Sequence, residues 1–414
     1  MEKNQKKDWV ECAFEDLLNY EQPTKYIVES TQYNDKYNTP VLTAGKTFIL
    51  GYTNETTGVF DNIPTIIFDD FTTATQFVNF KFKVKSSAMK ILVPTSKLVN
   101  MPFVFYAMQV NYVRNDTHKR YWISVFAKKE FLLPPLPIQR AIVAKIEELF
   151  SSLDRGIADL TKAQEQLVVY RQAVLKKAFE GHKEVQFEKI ISSTQNGISK
   201  RKGEKGDLIK VLRLADIKNL KIDNTNPRKI QLNKDEENKY KLNAGDLIVI
   251  RVNGSINLVG RFIHVSKKDE IELWAFCDHF IRITLDLTKC HPIFYYYFFQ
   301  LSKVRKFINY NMVSSAGQNT VSQTTVKSIS VPLISLKEQN QIIREIESRL
   351  SVCDKVEESI SESLEKAKAL RQSILKKAFE GKLLTEEEIE KCKREKDYEP
   401  AYKLLERIKA EKKK

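Results

Sequence analysis

From Ile142 onward the apolar positions step by four and three. Ile142, Ile146, Leu149, Leu153, Gly156, Leu160, Ala163, Leu167, Tyr170 and Val174 share this register, and Ile342, Ile346, Arg349, Cys353, Val356, Ile360, Ser363, Ala367, Leu370 and Ile374 repeat it. That spacing lays one stripe along a helix, and sustained over several heptads it makes the seam of a coiled coil. Gly156, Arg349 and Ser363 weaken the seam locally. Prolines precede each helix (Pro134, Pro135 and Pro137; Pro332), and Gly181 and Gly381 stand where a C-cap is needed. The recurrence has a fixed offset of 200 residues: Leu175-Lys176-Lys177-Ala178-Phe179-Glu180-Gly181 returns as Leu375-Lys376-Lys377-Ala378-Phe379-Glu380-Gly381. Without a gap, Gln139, Asp154, Arg171 and Gln172 match Gln339, Asp354, Arg371 and Gln372. A period this long is a duplicated domain plus helix rather than a solenoid. The shared register predicts two helices that pack on each other; two unrelated helices, each on its own domain, is the alternative.

The segments before the helices read as mixed α/β. Val78 to Lys85 alternates strictly, predicting a strand with one apolar face and one lysine face. Asn243-Ala244-Gly245-Asp246 signals a turn before the buried strand Leu247–Ile250, and Asn253-Gly254 suggests a hairpin back into Leu258–Phe262. Each module opens alike, with Phe14-Glu15-Asp16-Leu17 or Phe187-Glu188-Lys189-Ile190. Each also carries aromatics after a proline, Pro102-Phe103-Val104-Phe105-Tyr106 or Pro292-Ile293-Phe294-Tyr295-Tyr296. The tail starts with the capping box Thr385-Glu386-Glu387-Glu388 and continues into an amphipathic helix after Pro400. Its apolar face either packs on a nearby domain or binds a partner.

Charge narrows the function. With 68 Lys+Arg against 53 Asp+Glu in 414 residues, the net charge of +15 favours a polyanionic partner, most simply nucleic acid. Five scattered cysteines without a C-x-x-C exclude a disulfide scaffold and a zinc finger and suit a reducing cytosol. The polar N-terminus offers no signal peptide, and no apolar run approaches the length of a membrane helix, so a cytoplasmic protein without membrane association is expected. There is no P-loop, no dinucleotide fingerprint, no nucleophile elbow, no Asn-Pro-Pro-aromatic motif and no metal-ligand histidine spacing, so neither catalytic nor metal residues are assigned. Asp69-Asp70 reads as a strand end. Candidate DNA contacts are Lys81, Lys83, Lys85, Ser86, Ser87 and Lys90 in the first module, and Lys200, Arg201, Lys202, Arg251, Asn253, Ser255, Gln318 and Asn319 in the second. Lysines hold phosphates, whereas Arg, Asn, Gln and Ser near turns can read base edges.

On these residues the whole chain resembles the specificity subunits of type I restriction–modification systems. The resemblance rests on the twice-repeated order of variable module then helix, on Leu133-Pro134-Pro135-Leu136-Pro137-Ile138-Gln139, and on Arg171 to Gly181 with its second copy. The tail from Tyr398 to Ile408 and the stretches Asn243 to Leu247 and Gly317-Gln318-Asn319 are also similar to family segments; Val331-Pro332-Leu333 replaces a Pro-Pro pair in the second copy. The resemblance implies an α+β protein. Two α/β target recognition domains (1–132 and 183–330) would each be followed by a spacer helix (133–182 and 331–382), the helices would pair as an antiparallel coiled coil, and a helical tail (383–414) would follow. Each domain would read one half of a split, asymmetric site in double-stranded DNA. The chain would be non-catalytic and would scaffold two methyltransferase and two restriction/translocase subunits, on which S-adenosylmethionine, ATP and Mg²⁺ would reside. Arg171, Gln172, Arg371 and Gln372, on helix faces outside the seam, are the candidate partner contacts. The competing readings are a stand-alone DNA methyltransferase or nuclease with a diverged active site, and a coiled-coil adaptor with an incidental basic surface.

Overall fold

A computed structural model describes residues 6–43, 47–111, 121–203, 205–272 and 274–413. The chain forms two compact units, residues 1–160 with 362–414, and residues 161–361. Two long helices, α1 (Leu136–Ala178) and α2 (Leu336–Phe379), each contribute one half to each unit. At 43 and 44 residues they are about 65 Å long.

The two units are built from the same parts. In the first, an antiparallel four-stranded sheet runs in the order Leu18–Glu21, Met89–Pro94, Thr65–Asp69, Thr75–Val78. A three-stranded sheet joins Ile49–Thr53, Thr39–Leu42 and Lys83–Val84, the last pair parallel. Val10–Ala13 pairs with Glu130–Leu133 just ahead of α1. The second unit repeats this inventory and adds two small sheets of its own. Its four-stranded sheet is Ile191–Asn196, Phe280–Leu285, Leu247–Ile250, Phe262–His264. Its three-stranded sheet again holds one parallel pair, Asp207–Leu212 with Trp274–Phe276. Glu184–Gln186 pairs with Ser330–Pro332 just ahead of α2.

Helix ends and modules exchange partners. Phe179, at the end of α1, packs edge-on against Phe294 and Phe298 of the second unit. Phe379, at the end of α2, packs on Phe103 of the first. The prolines before these aromatics start short helices, Met101–Val110 and Pro292–Phe298. Both faces are thereby buried in one core per unit, where Ile142 and Ile146 meet Ile374 and Ala378, and Ile343 and Ile346 meet Leu175 and Phe179.

Buried glutamines anchor both helix starts. Gln139 donates to the Pro134 carbonyl at 2.7 Å. Gln339 donates to Lys289 and Ile334 carbonyls at 2.8 and 2.9 Å and accepts from the His291 N–H at 2.7 Å.

Three expectations are corrected. First, the seam widens or shifts to the following residue at some steps, with Leu149, Ala163 and Ser363 as half-buried as the residues after them. Gly156, Arg349, Val356 and Tyr170 are exposed, while Phe150, Ile157, Gln164, Arg171, Leu350, Leu364 and Arg371 turn inward to half-burial. The 3.6-residue turn allows either register when the intervening residue is also apolar. Arg171 and Arg371 therefore lie in the helix pair, not outside it. Second, residues 78–85 are not one strand. Pairing stops at Val78 and resumes at Lys83–Val84 in the other sheet, and Phe82 bridges Phe60. Third, the chain does return antiparallel onto Leu247–Ile250, but through a wider connection than an Asn253-Gly254 turn. Phe262–His264 pairs with that strand, Gly260 and Arg261 bond to Ile250, and Val252–Asn253 joins another sheet.

The tail packs on its own N-terminal unit. Leu404, Leu405 and Ile408 of the helix Ala401–Lys412 are buried in that unit's core. The Ala401 N–H donates to the Asp8 carbonyl at 3.1 Å, Tyr398 donates to the Asp8 carboxylate at 2.8 Å, and Arg140 forks onto Asp397 and Glu395.

Candidate nucleic-acid interface

In the second unit, segments far apart in sequence meet on a small sheet. β1 (Val252–Asn253) pairs antiparallel with β3 (Gln318–Thr320), which pairs with β2 (Val313–Ser315). Asn253 stands opposite Asn319, and the Asn319 amide donates to the Gly254 carbonyl at 3.1 Å. Asn253 in turn accepts from the Ser255 N–H at 2.8 Å. A two-residue turn joins β2 to β3, with Ala316 at φ 49° and Gly317 at φ 74°. Positive φ at both positions is the type I′ geometry that fits strand twist, and it explains the glycine.

Arg251 sits at the root of this sheet. Its carbonyl accepts from the Val321 N–H, its N–H donates to the His279 carbonyl at 2.7 Å, and its guanidinium reaches the Asp278 carbonyl at 3.3 Å. The turn Cys277–His279 also receives the loop after Asn196. Gly197 lies so close to the Cys277 carbonyl that a Cβ would sit 2.1 Å from it. Ile198 bridges Cys277, and the Asp278 N–H donates to the Ile198 carbonyl. Lys200 is ion-paired to Glu236, while Arg201 and Lys202 are exposed. The structure thus groups Arg251, Asn253, Ser255, Gln318 and Asn319 in one place, with the Lys200–Lys202 loop joined through Cys277–His279. Nothing in the sequence pattern marks Asp278 and His279 as the clamp on Arg251, because that role belongs to their carbonyls.

Among the described residues, one group of His, Cys, Asp or Glu side chains converges: Cys277, Asp278 and His279 bring their potential ligand atoms within 4.8 Å. Burial pushes the Cys277 thiol up, so the protonated form prevails at neutral pH.

In the first unit the lysines divide. Lys81 and Lys85 are exposed, with Lys81 loosely paired to Asp61 at 3.9 Å. Ser86 is half-buried and Ser87 exposed. Lys83 is buried, 2.7 Å from the Glu55 carboxylate, and donates to the Thr57 carbonyl at 2.7 Å. Lys90 is buried near Asp70 and over the Tyr20 ring. The open lysine face expected from alternation is therefore reduced to its two outer members, because Lys83 and Lys90 turn into the fold where carboxylates meet them. Asp69 ends its strand and accepts from the Phe71 and Thr72 N–H groups, the strand-end role expected of it.

On the helices, Arg171 bridges to Asp354 and Glu357 on α2 at 2.6 and 2.8 Å. Arg371 pairs with Asp154 on α1 and covers the Phe150 ring. Gln172 accepts from Ser302 and donates to the Gln300 carbonyl. Gln172 and Gln372 also line equivalent clefts, the first with Lys176, Phe179 and Glu180, the second with Lys376, Phe379 and Glu380.

Residues 192–366 match the family described as "Type I restriction modification DNA specificity domain". The StySPI specificity subunit of Salmonella potsdam is 38% identical over 293 residues, which is 67% of this chain and 63% of that one. The EcoKI specificity subunit of Escherichia coli K12 is 30% identical over 294 residues, again 67% and 63%. The chain thus spans a little under two thirds of the length of these relatives. The HsdS subunit of Thermoanaerobacter tengcongensis superposes with a TM-score of 0.51 at 16% identity, covering 91% of this chain and 98% of that one. A chain from a structure titled for the assembly and conformational transition of the type I R-M system gives 0.69, with the same coverage and identity; at such identity both likenesses concern the fold. By its specificity domain, its duplicated module-and-helix architecture and these relatives, the chain belongs to the family of type I restriction–modification specificity subunits.

Proposed function

We propose that this chain is the DNA-reading subunit of a type I restriction–modification complex, with one half-site read by each unit. The observation that carries the reading is the convergence of Asn253, Gln318 and Asn319 on one small sheet with Arg251 at its root, Gln318 exposed and the other three half-buried. Side chains of this kind discriminate base edges, whereas the surrounding lysines supply phosphate affinity without sequence information. Because the two units share architecture but differ in sequence, the two half-sites differ and the site is asymmetric. Two readers on one chain also raise specificity, since the second binds at high effective concentration.

The same reading assigns no chemistry to this chain. S-adenosylmethionine, ATP and Mg²⁺ belong to two methyltransferase and two restriction/translocase subunits, and the complex works in the cytoplasm. No helix of the described residues is long and apolar enough to cross a membrane. The equivalent clefts beside Phe179 and Phe379 are the places where two copies of one partner can dock alike. The test is methylome sequencing of host cells with and without the gene. A split, asymmetric methylated motif that disappears with the gene supports the reading; an unchanged methylome overturns it. Replacing residues 183–330 by the matching segment of a relative should alter one half-site and leave the other.

A further inference from the structure

The sheet of the second unit has a shape that says how it is used. β2 and β3 form a short ribbon, Val313 to Thr320, whose residues from Val313 to Gln318 are all exposed. Its strands are three residues long, about 10 Å each and about 4.8 Å apart. The B-DNA major groove, roughly 12 Å wide and 8.5 Å deep, admits a two-stranded ribbon of that size. Among the described residues the ribbon pairs with a further strand at one edge, β1, where the Asn319–Gly254 bond also lies, and its tip projects beyond that pairing.

Charge favours the same approach. Residues 287–337 contain six Lys and Arg and no Asp or Glu, although Lys289, Lys303 and Lys327 pair with Asp286, Glu184 and Glu188 outside that stretch. On the helix Ser302–Asn311, directly before β2, Lys306 is exposed, while Lys303 pairs with Glu184 and Arg305 is half-buried on Asn309 and the Val259 carbonyl. The tip pair is Ser315 opposite Gln318, next to the Ala316–Gly317 turn. Side chains opposite one another in an antiparallel pair share a face, so Ser315 and Gln318 point the same way. Asn319, on the other face, is occupied with Gly254. No hydrogen bond joins the Gln318 amide to the described residues. A free glutamine amide matches the N6 donor and N7 acceptor of adenine in the major groove.

We infer that the ribbon Val313–Thr320 is the element of the second unit that enters the major groove, and that Gln318 reads an adenine in that half-site. This rests on the DNA-reading function proposed above and deepens it.

The experiment is selection of binding sites from a randomised duplex library by the full chain in complex with its methyltransferase partner, for wild type, Gln318→Ala and Gln318→Arg. Gln318 is exposed, so both variants should melt with wild type. Wild type should enrich a bipartite site. Gln318→Ala should lose preference at one A·T position of one half-site, by roughly 10- to 100-fold, with every other position unchanged. Gln318→Arg should shift that position toward G·C. If both variants keep the wild-type preference at every position, the ribbon is not the reader although DNA reading stands. If wild type enriches no sequence, the proposed function itself falls, and this inference with it.

Discussion

Arg171 on α1 donates to the Asp354 carboxylate on α2 at 2.6 Å, and the same pair recurs 200 residues away as Arg371 with Asp154. One contact per unit thus carries the internal repeat from sequence into packing. In an antiparallel pair, a residue early in one helix meets one late in the other, so a duplicated Asp and Arg necessarily meet twice. The arginines differ in their surroundings: Arg371 lies 4.3 Å from the centroid of the Phe150 ring, whereas Arg171 gains Glu357 as a second carboxylate.

These partly exposed pairs should contribute little individually. Double-mutant cycles on Arg171→Ala with Asp354→Ala, read by urea unfolding, should give a coupling below about 1 kcal/mol. Arg371→Ala should cost up to about 1 kcal/mol more than its own ion-pair coupling, because the stacking on Phe150 is lost as well. A coupling of several kcal/mol for Arg171 with Asp354 would mean the pair is far drier than its exposure indicates.

The buried glutamines should rank by the bonds they make. Gln339→Leu strands two carbonyls and the His291 N–H inside the second unit, while Gln139→Leu strands the Pro134 carbonyl. At about 1–3 kcal/mol for each group left unsatisfied, the Gln339 variant should lose the most stability. Urea midpoints for the two variants give the order directly, and a reversed order would refute it.

Glu55 gives a pH signature. Burial raises its carboxyl pKa, but the Lys83 ammonium and the Ser30 and Glu29 N–H groups outweigh that and hold it below the usual carboxylate range. A carboxylate depressed in the native state adds stability above its unfolded pKa, and that stability is lost as pH falls through the depressed native value. The stability gap between wild type and Lys83→Met should therefore be largest near neutral pH. It should shrink as the pH drops from about 5 toward 3. A gap that is constant with pH would show that Lys83 stabilises through packing of its alkyl stem rather than through Glu55.

The repeat was the legible part of this sequence, because 3.6-residue periodicity and the Leu-Lys-Lys-Ala-Phe-Glu-Gly motif are local. The heptad register holds at most positions, and it shifts by one residue at Gly156, Tyr170, Arg349 and Leu370, where the following residue is the half-buried one. Lys83 shows why alternation misleads where a strand breaks: its partner Glu55 lies 28 residues away and leaves no local trace. At the candidate interface, residue types were readable but neighbours were not. Asn253 and Asn319 meet through long-range pairing, and the Asn253-Gly254 turn signal shows the return onto Leu247–Ile250 but not that Val252–Asn253 joins a second sheet on the way.

The tail should be structural in the first unit. Leu404 and Ile408 are each 1% exposed, so Leu404→Ala or Ile408→Ala should cost about 2–5 kcal/mol. Removing residues 401–414 should uncover the Val10–Ala13 strand and the short helix Phe14–Leu17, which the last helix contacts. Hydrogen exchange followed by mass spectrometry should then show protection lost in residues 6–43 and retained in the four-stranded sheet of the second unit. Retained protection around Phe14 would show that the tail is an accessory.

The lysines of the first unit allow the charge argument to be separated from the packing argument. If Lys81 and Lys85 each neutralise one phosphate, replacing both by glutamine should reduce the slope of log K against log[salt] by nearly two. Affinity should fall similarly for every DNA sequence, because phosphate contacts carry no sequence information. Lys83→Gln makes the opposite prediction. Its ammonium is 3% exposed against Glu55, so the salt slope should stay unchanged while the unfolding midpoint drops. Measuring both quantities for both variants, with the full chain and a duplex carrying its methylated motif, sets the two outcomes against each other. A shallower slope for Lys83→Gln, or an unchanged slope for the Lys81/Lys85 double variant, would move the phosphate footprint of this unit away from the segment that alternation singled out.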